Sequence, residues 1–322
     1  MPRTDVHQHL WSEQLVAELT WRREVPLIRR SGRGWVLRLR DEPECAFDPA
    51  DHDPDARRAL LARDGIDRAL LCISSPLGIE ALGCATAERL LAAHNAAGLA
   101  LGGPFGIWGA ISLRPPDPAD VDELLDAGAV GISLPAGALS GPDGLDRCGP
   151  LLERLERRDA PLLVHPGPGP WRAWRPQPYV VDDAPAWWPA MTRYVSDMNA
   201  AWHAFAAFGR PSHPQLRVVF AMLAGGAPLH TERLAARGGP TTTASDDRVF
   251  YDTSSYGART IDAVVRCVGI DQLVHGSDRP VVAAPSPALL GPAASAAMTG
   301  ANVARLLGER ATSASAVAVA AA

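Results

Sequence analysis

The sequence predicts an α/β fold, a (β/α)8 TIM barrel, and three observations carry that expectation. Short β-rich apolar segments recur eight times along 322 residues. Apolar repeats at helical spacing separate most of them. No GxGxxG follows a strand, which removes the usual reason to prefer an open dinucleotide-binding sheet. Alternating strand and helix implies a parallel sheet, and eight units in about 300 residues suit a closed barrel. Because the last two strands carry shorter crossovers, an open doubly wound sheet is the alternative.

In chain order the strands are "RTDVH" 3–7, "ALLCI" 69–73, "IWGAIS" 107–112, "VGISL" 130–134, "PLLVH" 161–165, "RVVFAM" 217–222, "RVFYD" 248–252 and "QLVHG" 272–276. Helical repeats cover 86–101, 118–127 and 145–158. Two stretches read as insertions into one barrel domain spanning 1–310. Residues 23–47 hold a "SGRG" turn between apolar runs, the signature of a β-hairpin. Residues 166–202 are Pro-rich and carry Trp171, Trp174, Trp187, Trp188 and Trp202, more than half of the nine tryptophans. Over a barrel mouth they form a lid or substrate wall, since aromatic rings give large, stiff contact area; subunit packing is the competing use. The tail 311–322, "TSASAVAVAAA" in its bulk, is low in complexity and expected to be disordered.

Composition excludes several classes. Net charge is −5, so no basic field invites nucleic acid. No leader pattern and no run of about 18 apolar residues is present, so the expectation is a soluble, cytoplasmic protein without a membrane partner. Five cysteines (Cys45, Cys72, Cys84, Cys148, Cys267) are widely spaced, with no Cys-x-x-Cys, and are expected to be reduced. The chain has no lysine, which excludes Schiff-base catalysis and a carboxylated-lysine metal bridge.

Barrel chemistry sits at the C-terminal ends of the strands. His7 and His9, two apart at the end of the first strand, point the same way. By itself His-x-His is weak. His165 closes the fifth strand and Asp278 follows the eighth in "VHGSDRP", so three imidazoles and a carboxylate converge on one mouth. That set suits one divalent ion, Zn2+ first and Mn2+ second, with a position left for water. Asp278 has a second use as general base and acid. Asp252, Thr253 and Ser254 end the seventh strand. They read as a turn cap, with a contact to His7 or His9 as the alternative. Trp11, Met222, Trp187 and Arg279 are candidates for the substrate wall, and Arg38, Arg40 or Arg279 could clamp a carboxylate.

The succession "DVHQHL", "GIDRALLCISSP", "AERLLAAHNAAGLA", "GAVGISLP", "PLLVHPGPGP", "FAMLAGGAP" and "VHGSDRP" resembles the amidohydrolase superfamily. Its similarity is greatest to the branch of aminocarboxymuconate semialdehyde decarboxylase and the hydroxybenzoate-type decarboxylases. The resemblance implies a barrel with one metal on His7, His9, His165 and Asp278, acting on a small organic acid. It also implies a histidine after the sixth strand, where this chain has Met222. A thioether shuttles no proton and is a poor ligand for a hard metal. His275 or His230 are the substitutes considered, with core and surface histidines as their plain readings. Where two-metal members carry a strand-4 lysine, Ser133 stands here, which implies a single metal.

The leading expectation is a metal-dependent hydrolase of a small cyclic or aromatic acid, amide or lactone, with Asp278 and His275 as catalytic groups. The alternatives are a non-oxidative decarboxylase of a small aromatic or unsaturated acid, and a degenerate barrel that only binds. The expected partner is a small organic acid, with a homodimer as a possible assembly.

Overall fold

The computed structural model describes residues 1–32, 34–40, 42–171, 184–240, 246–282 and 286–308. Trp174 and the tail 311–322 lie outside them. Among the described residues, eleven strands form two sheets: β1 (Thr4–Gln8), β2 (Leu27–Ser31), β3 (Gly34–Arg38), β4 (Cys45–Phe47), β5 (Arg68–Leu71), β6 (Phe105–Ala110), β7 (Gly131–Pro135), β8 (Leu162–His165), β9 (Val218–Phe220), β10 (Val249–Asp252) and β11 (Leu273–Val274). The larger sheet runs β1-β5-β6-β7-β8-β9-β10-β11, every laddered pair parallel.

The open-sheet alternative is corrected by the seam between first and last strands. Val6 N–H donates to His275 O at 2.9 Å, Asp278 N–H to His7 O at 2.8 Å and His9 N–H to Arg279 O at 2.7 Å. These bonds bring the ring to near closure and make it a (β/α)8 barrel. Helices form where the sequence supplies start signals. Asp53 and Asp117 cap Pro54–Asp64 and Pro118–Asp126, each with proline in the first turn. Cys84–Leu101 packs so closely on β6 that a Cβ on Gly98 would come within 2.8 Å of Ile107 Cγ2. Trp108, fully buried, lies among Val6, Leu70, Cys72 and Ile132 and donates its Nε1–H to Val6 O at 2.9 Å. Burial of a side chain this size contributes about 2–3 kcal/mol.

The first insertion is larger than a hairpin. β2 and β3 pair around the Gly32 turn, Ser31 facing Gly34, and β4 adds a third antiparallel strand. Phe47 at the end of β4 stacks with Trp11 and His52 at ring separations of 5.4 and 5.3 Å, which fastens the insertion to the segment after β1.

The second insertion divides by function. Pro166–Pro170 threads between the loops after β5 and β7, with Gly137 N–H on Gly167 O at 2.9 Å. A Cβ on Gly167 would meet Ser75 at 2.6 Å, so glycine is required by close approach. Trp202 is not part of a wall over the mouth. It sits on the helix Val195–Ala204, 2% exposed, with its Nε1–H on Tyr251 Oη at 3.0 Å, because that face of the helix packs on the barrel. Trp187 is 59% exposed and has Trp188 as its ring neighbour.

Candidate metal centre

A bulge in β1 sets the geometry. Thr4 pairs with Arg68 and Asp5 with Ala69, but Gln8 pairs with Leu71, so three steps on β1 match two on β5. Strict alternation would put Asp5 beside His7 and His9. Instead Asp5 Oδ2 accepts from Gln8 Nε2 at 2.7 Å, and its Oδ1 takes the amide N–H of Ser277 at 3.0 Å. His7 and His9 are left to face the ends of β8 and β11.

There the Nε2 atoms of the three histidines meet. His7 Nε2 lies 3.2 Å from His9 Nε2 and 3.1 Å from His165 Nε2, with the rings nearly perpendicular to one another. Asp278 Oδ1 stands 3.1 Å from His9 Nε2 and 3.6 Å from His7 Nε2. Donors held about 2.1 Å from one ion are separated by roughly 3.0–3.4 Å, so these spacings fit a shared divalent cation.

Each ring is also fixed from behind. His7 Nδ1 faces Asp252 Oδ2 at 2.7 Å, His9 Nδ1 faces Cys72 O at 2.9 Å and His165 Nδ1 faces Pro166 O at 2.9 Å. All three partners accept, so the Nδ1 atoms carry hydrogens and every Nε2 lone pair is available to a cation. Asp252 does double duty. Its Oδ1 takes the N–H of Ser254 at 2.8 Å, the turn cap expected from sequence, and the N–H of Met222 at 3.1 Å.

Charge in the cluster is shared. Burial alone would depress His7 and His9, but Cys72 and the carboxylates outweigh it: His7 rises well above its usual value and His9 to about 9. His165, buried and beside both, is driven well below. Burial would raise Asp252 and Asp278, yet the histidines hold both carboxyls below their usual range. A divalent ion would take over the stabilisation of these carboxylates and displace the histidine protons.

Met222 follows β9, the sixth strand of the barrel, and its part in the site is through backbone. Its φ of 44° opens a run of left-handed residues, Leu223 at 50°, Ala224 at 54°, Gly225 at 64° and Gly226 at 81°. Three consecutive non-glycine residues in this region are strained. Asn199 Nδ2 holds the turn by donating to Gly225 O at 2.9 Å.

His275 is not brought to the cluster. It directly follows β11, whereas Asp278 lies beyond in a left-handed bend at φ 57°. His275, Ser277 and Arg279 line a separate cavity of about 430 Å3 with Asp5, Gln8 and Asp64. His275 Nε2 is 3.8 Å from Asp5 Oδ2, and Arg279 is paired with Asp64. Arg279 is therefore occupied away from the four converging groups. Trp11 is 7% exposed, with its Nε1–H on Ser74 Oγ at 3.1 Å and its ring on Phe47 and His52. It supports the floor of the insertion. His230 is exposed.

Sequence reasoning missed two neighbours of the centre and one buried acid in the loop after β5. Cys72, just after β5, joins His7, His9 and His165 in one group whose ligand atoms lie within 4.8 Å of one another. Burial would raise its thiol, but His9 and His7 hold it below the usual value. Ser255, in the left-handed region at φ 65°, donates to Asp278 Oδ2 at 3.3 Å. Glu80 is fully buried, which lifts its carboxyl to about 7, and accepts from Ser75 Oγ. Only Cys72 left a readable signal: a strand-end position level with His9.

Imidazoles delivered by separate strands to one point of a barrel mouth, each locked in the metal-binding tautomer, mark a class of metal-dependent barrel enzymes. A family model described as Amidohydrolase matches residues 4–311, and the chain belongs to that family. Among curated proteins none matches it by sequence. Solved structures share its fold at low identity. The apo form of IDCase from Metarhizium anisopliae is 18% identical with a TM-score of 0.77, over 95% of this chain and 97% of that one. The 5-carboxyvanillate decarboxylase of Sphingomonas paucimobilis is 17% identical with a TM-score of 0.69, over 95% and 98%. That of Novosphingobium aromaticivorans, complexed with manganese and 4-hydroxy-3-methoxy-5-nitrobenzoic acid, is 15% identical with a TM-score of 0.73, over 95% and 96%. None of the described helices is long and apolar enough to cross a membrane.

Proposed function

We propose that the protein is a non-oxidative, metal-dependent decarboxylase of a small aromatic acid bearing a hydroxyl beside its carboxylate. His7, His9, His165 and Asp278 hold one divalent ion. The observation that carries this reading is that, among the described residues, a single carboxylate, Asp278, touches the converging imidazoles while remaining partly open, 14% exposed. Asp252, the other carboxylate in contact, is fully buried and spent on His7 and two backbone amides. Decarboxylation needs one proton delivered to carbon, and one such group suffices. The several decarboxylases among the structural neighbours support this choice over hydrolysis, which led the reading of the sequence.

A metal held by His7, His9, His165 and Asp278 would supply positive charge beside the bound acid. Asp278, ionised because the histidines hold its carboxyl low, accepts the hydroxyl proton. It then delivers that proton to the ring carbon as the bond to CO2 breaks and its electron pair returns to the ring. Ser255 Oγ, on the other carboxylate oxygen, keeps Oδ1 turned toward the histidines. The family's description keeps hydrolysis as a second reading, in which Asp278 serves first as base and then as acid.

The test is incubation of the Mn2+- or Zn2+-loaded protein with ortho-hydroxy aromatic acids in D2O. Release of CO2 with deuterium at the vacated ring carbon is expected. Cleavage of amide or lactone substrates with no CO2 from any acid would overturn the proposal in favour of a hydrolase.

A further inference from the structure

The centre has a donor that neither the His-x-His motif nor the acid after β11 accounts for. Cys72 is the first residue past β5, with its N–H on Gln8 O at 2.9 Å, which sets it level with His9. Its side chain is wholly buried. The neighbours of Sγ are weak ones, Gln8 O at 3.7 Å and His9 Nδ1 at 3.6 Å, and the cysteine is in no disulfide. Sγ and the ligand atoms of His7, His9 and His165 all fall within 4.8 Å of one another. On one tetrahedral Zn2+, with Zn–S about 2.3 Å and Zn–N about 2.1 Å, a sulfur and a nitrogen stand roughly 3.5 Å apart, so closing the group by about an ångström brings the sulfur to the same ion.

We propose that Cys72 is a direct thiolate donor to the divalent ion of this centre and selects soft Zn2+ over hard Mn2+. On binding, the S–H bond gives way to a sulfur–metal bond and the proton leaves to solvent. Thiolate favours Zn2+, whereas carboxylate and water suit Mn2+. The same barrel without this sulfur would offer only imidazole and carboxylate. The proposal rests on His7, His9 and His165 holding a metal, and the experiment below separates the two claims.

The probe is Co2+, loaded into the full-length protein and followed by absorption, with bound cobalt measured by elemental analysis. A sulfur-to-cobalt charge-transfer band in the near ultraviolet is expected in the native protein and not in Cys72→Ser. That isosteric variant should still bind cobalt, and its preference for Zn2+ over Mn2+ in direct competition should fall by about tenfold or more. Stoichiometric cobalt without the band, or a band that survives in Cys72→Ser, would overturn the role of Cys72 and leave the histidine site standing. Absence of cobalt uptake by the native protein would overturn both. The native spectrum alone decides the matter if the variant does not fold.

Discussion

Asp252 Oδ2 and His7 Nδ1 stand 2.7 Å apart with both side chains buried, and the other oxygen of the same carboxylate takes the N–H of Met222. One carboxylate thus fixes an imidazole on β1 and the strained turn after β9. Asp252→Asn, which keeps the shape but offers His7 a weaker acceptor, should lower metal affinity by about 10–100-fold, read by titration with a competing chelator. Asp252→Ala leaves buried amides unsatisfied as well, and should cost about 1–3 kcal/mol in chemical denaturation.

Asp278→Asn should reduce turnover by about 10²–10⁴-fold, because an amide cannot carry the proton. Asp278→Ala should additionally release metal. Full metal content in purified Asp278→Ala would remove this residue from the ligand set.

Metal binding and pH should be linked in a defined window. His7 and His9 have raised values in the folded, metal-free protein, His9 at about 9. Their protonation stabilises the metal-free fold fully below the ordinary histidine value near 6.5, and that stability is lost as pH rises through about 9. His165, depressed by burial and by His7 and His9, acts only below that window. From pH 6.5 toward 9 the metal-free Tm should therefore fall relative to the loaded protein. The gain in Tm on adding Zn2+ should grow over the same range, and a gain that shrinks with rising pH would contradict the charge distribution described.

Met222 tests the left-handed turn. Histidine enters this region more readily than β-branched residues do. Met222→His should unfold near the native temperature, whereas Met222→Val should lose about 1–3 kcal/mol.

Arg279 is held by Asp64 beside the separate cavity. Arg279→Gln should leave KM for an acid substrate within about twofold and lower stability by about 1 kcal/mol, the upper end for a solvent-accessible pair, since both side chains are only partly exposed. A large rise in KM would return Arg279 to the substrate wall.

Much of the barrel is written in local pattern. Each of the eight parallel strands falls on an apolar segment bounded by helix signals, and strand-end position alone is enough to bring His7, His9, His165 and Asp278 together. What local pattern hides is phase. The β1 bulge sends Asp5 to Gln8 instead of leaving it in line with His7, and a bulge is a matter of pairing with β5, which no single strand encodes. The left-handed turn at Met222 is imposed by Asp252, Ser254 and Asn199, which are distant in sequence. His275 is a different case: it follows β11 directly and turns toward Asp5, while the left-handed bend at Asp278, which no local pattern announces, carries that carboxylate to His9.

The backbone seam between β1 and the segment after β11 has a kinetic meaning. His9 and Asp278 are 269 residues apart and become neighbours only when that seam zips. A chain folded as far as β10 has two imidazoles on an unclosed edge and no acid to complete them. An ion held as proposed would be a clasp on the final joint, and it should slow opening of the whole ring more than any local fraying. Amide exchange at Val6, His9 and Asp278, whose N–H groups span the joint, should slow together when metal is added.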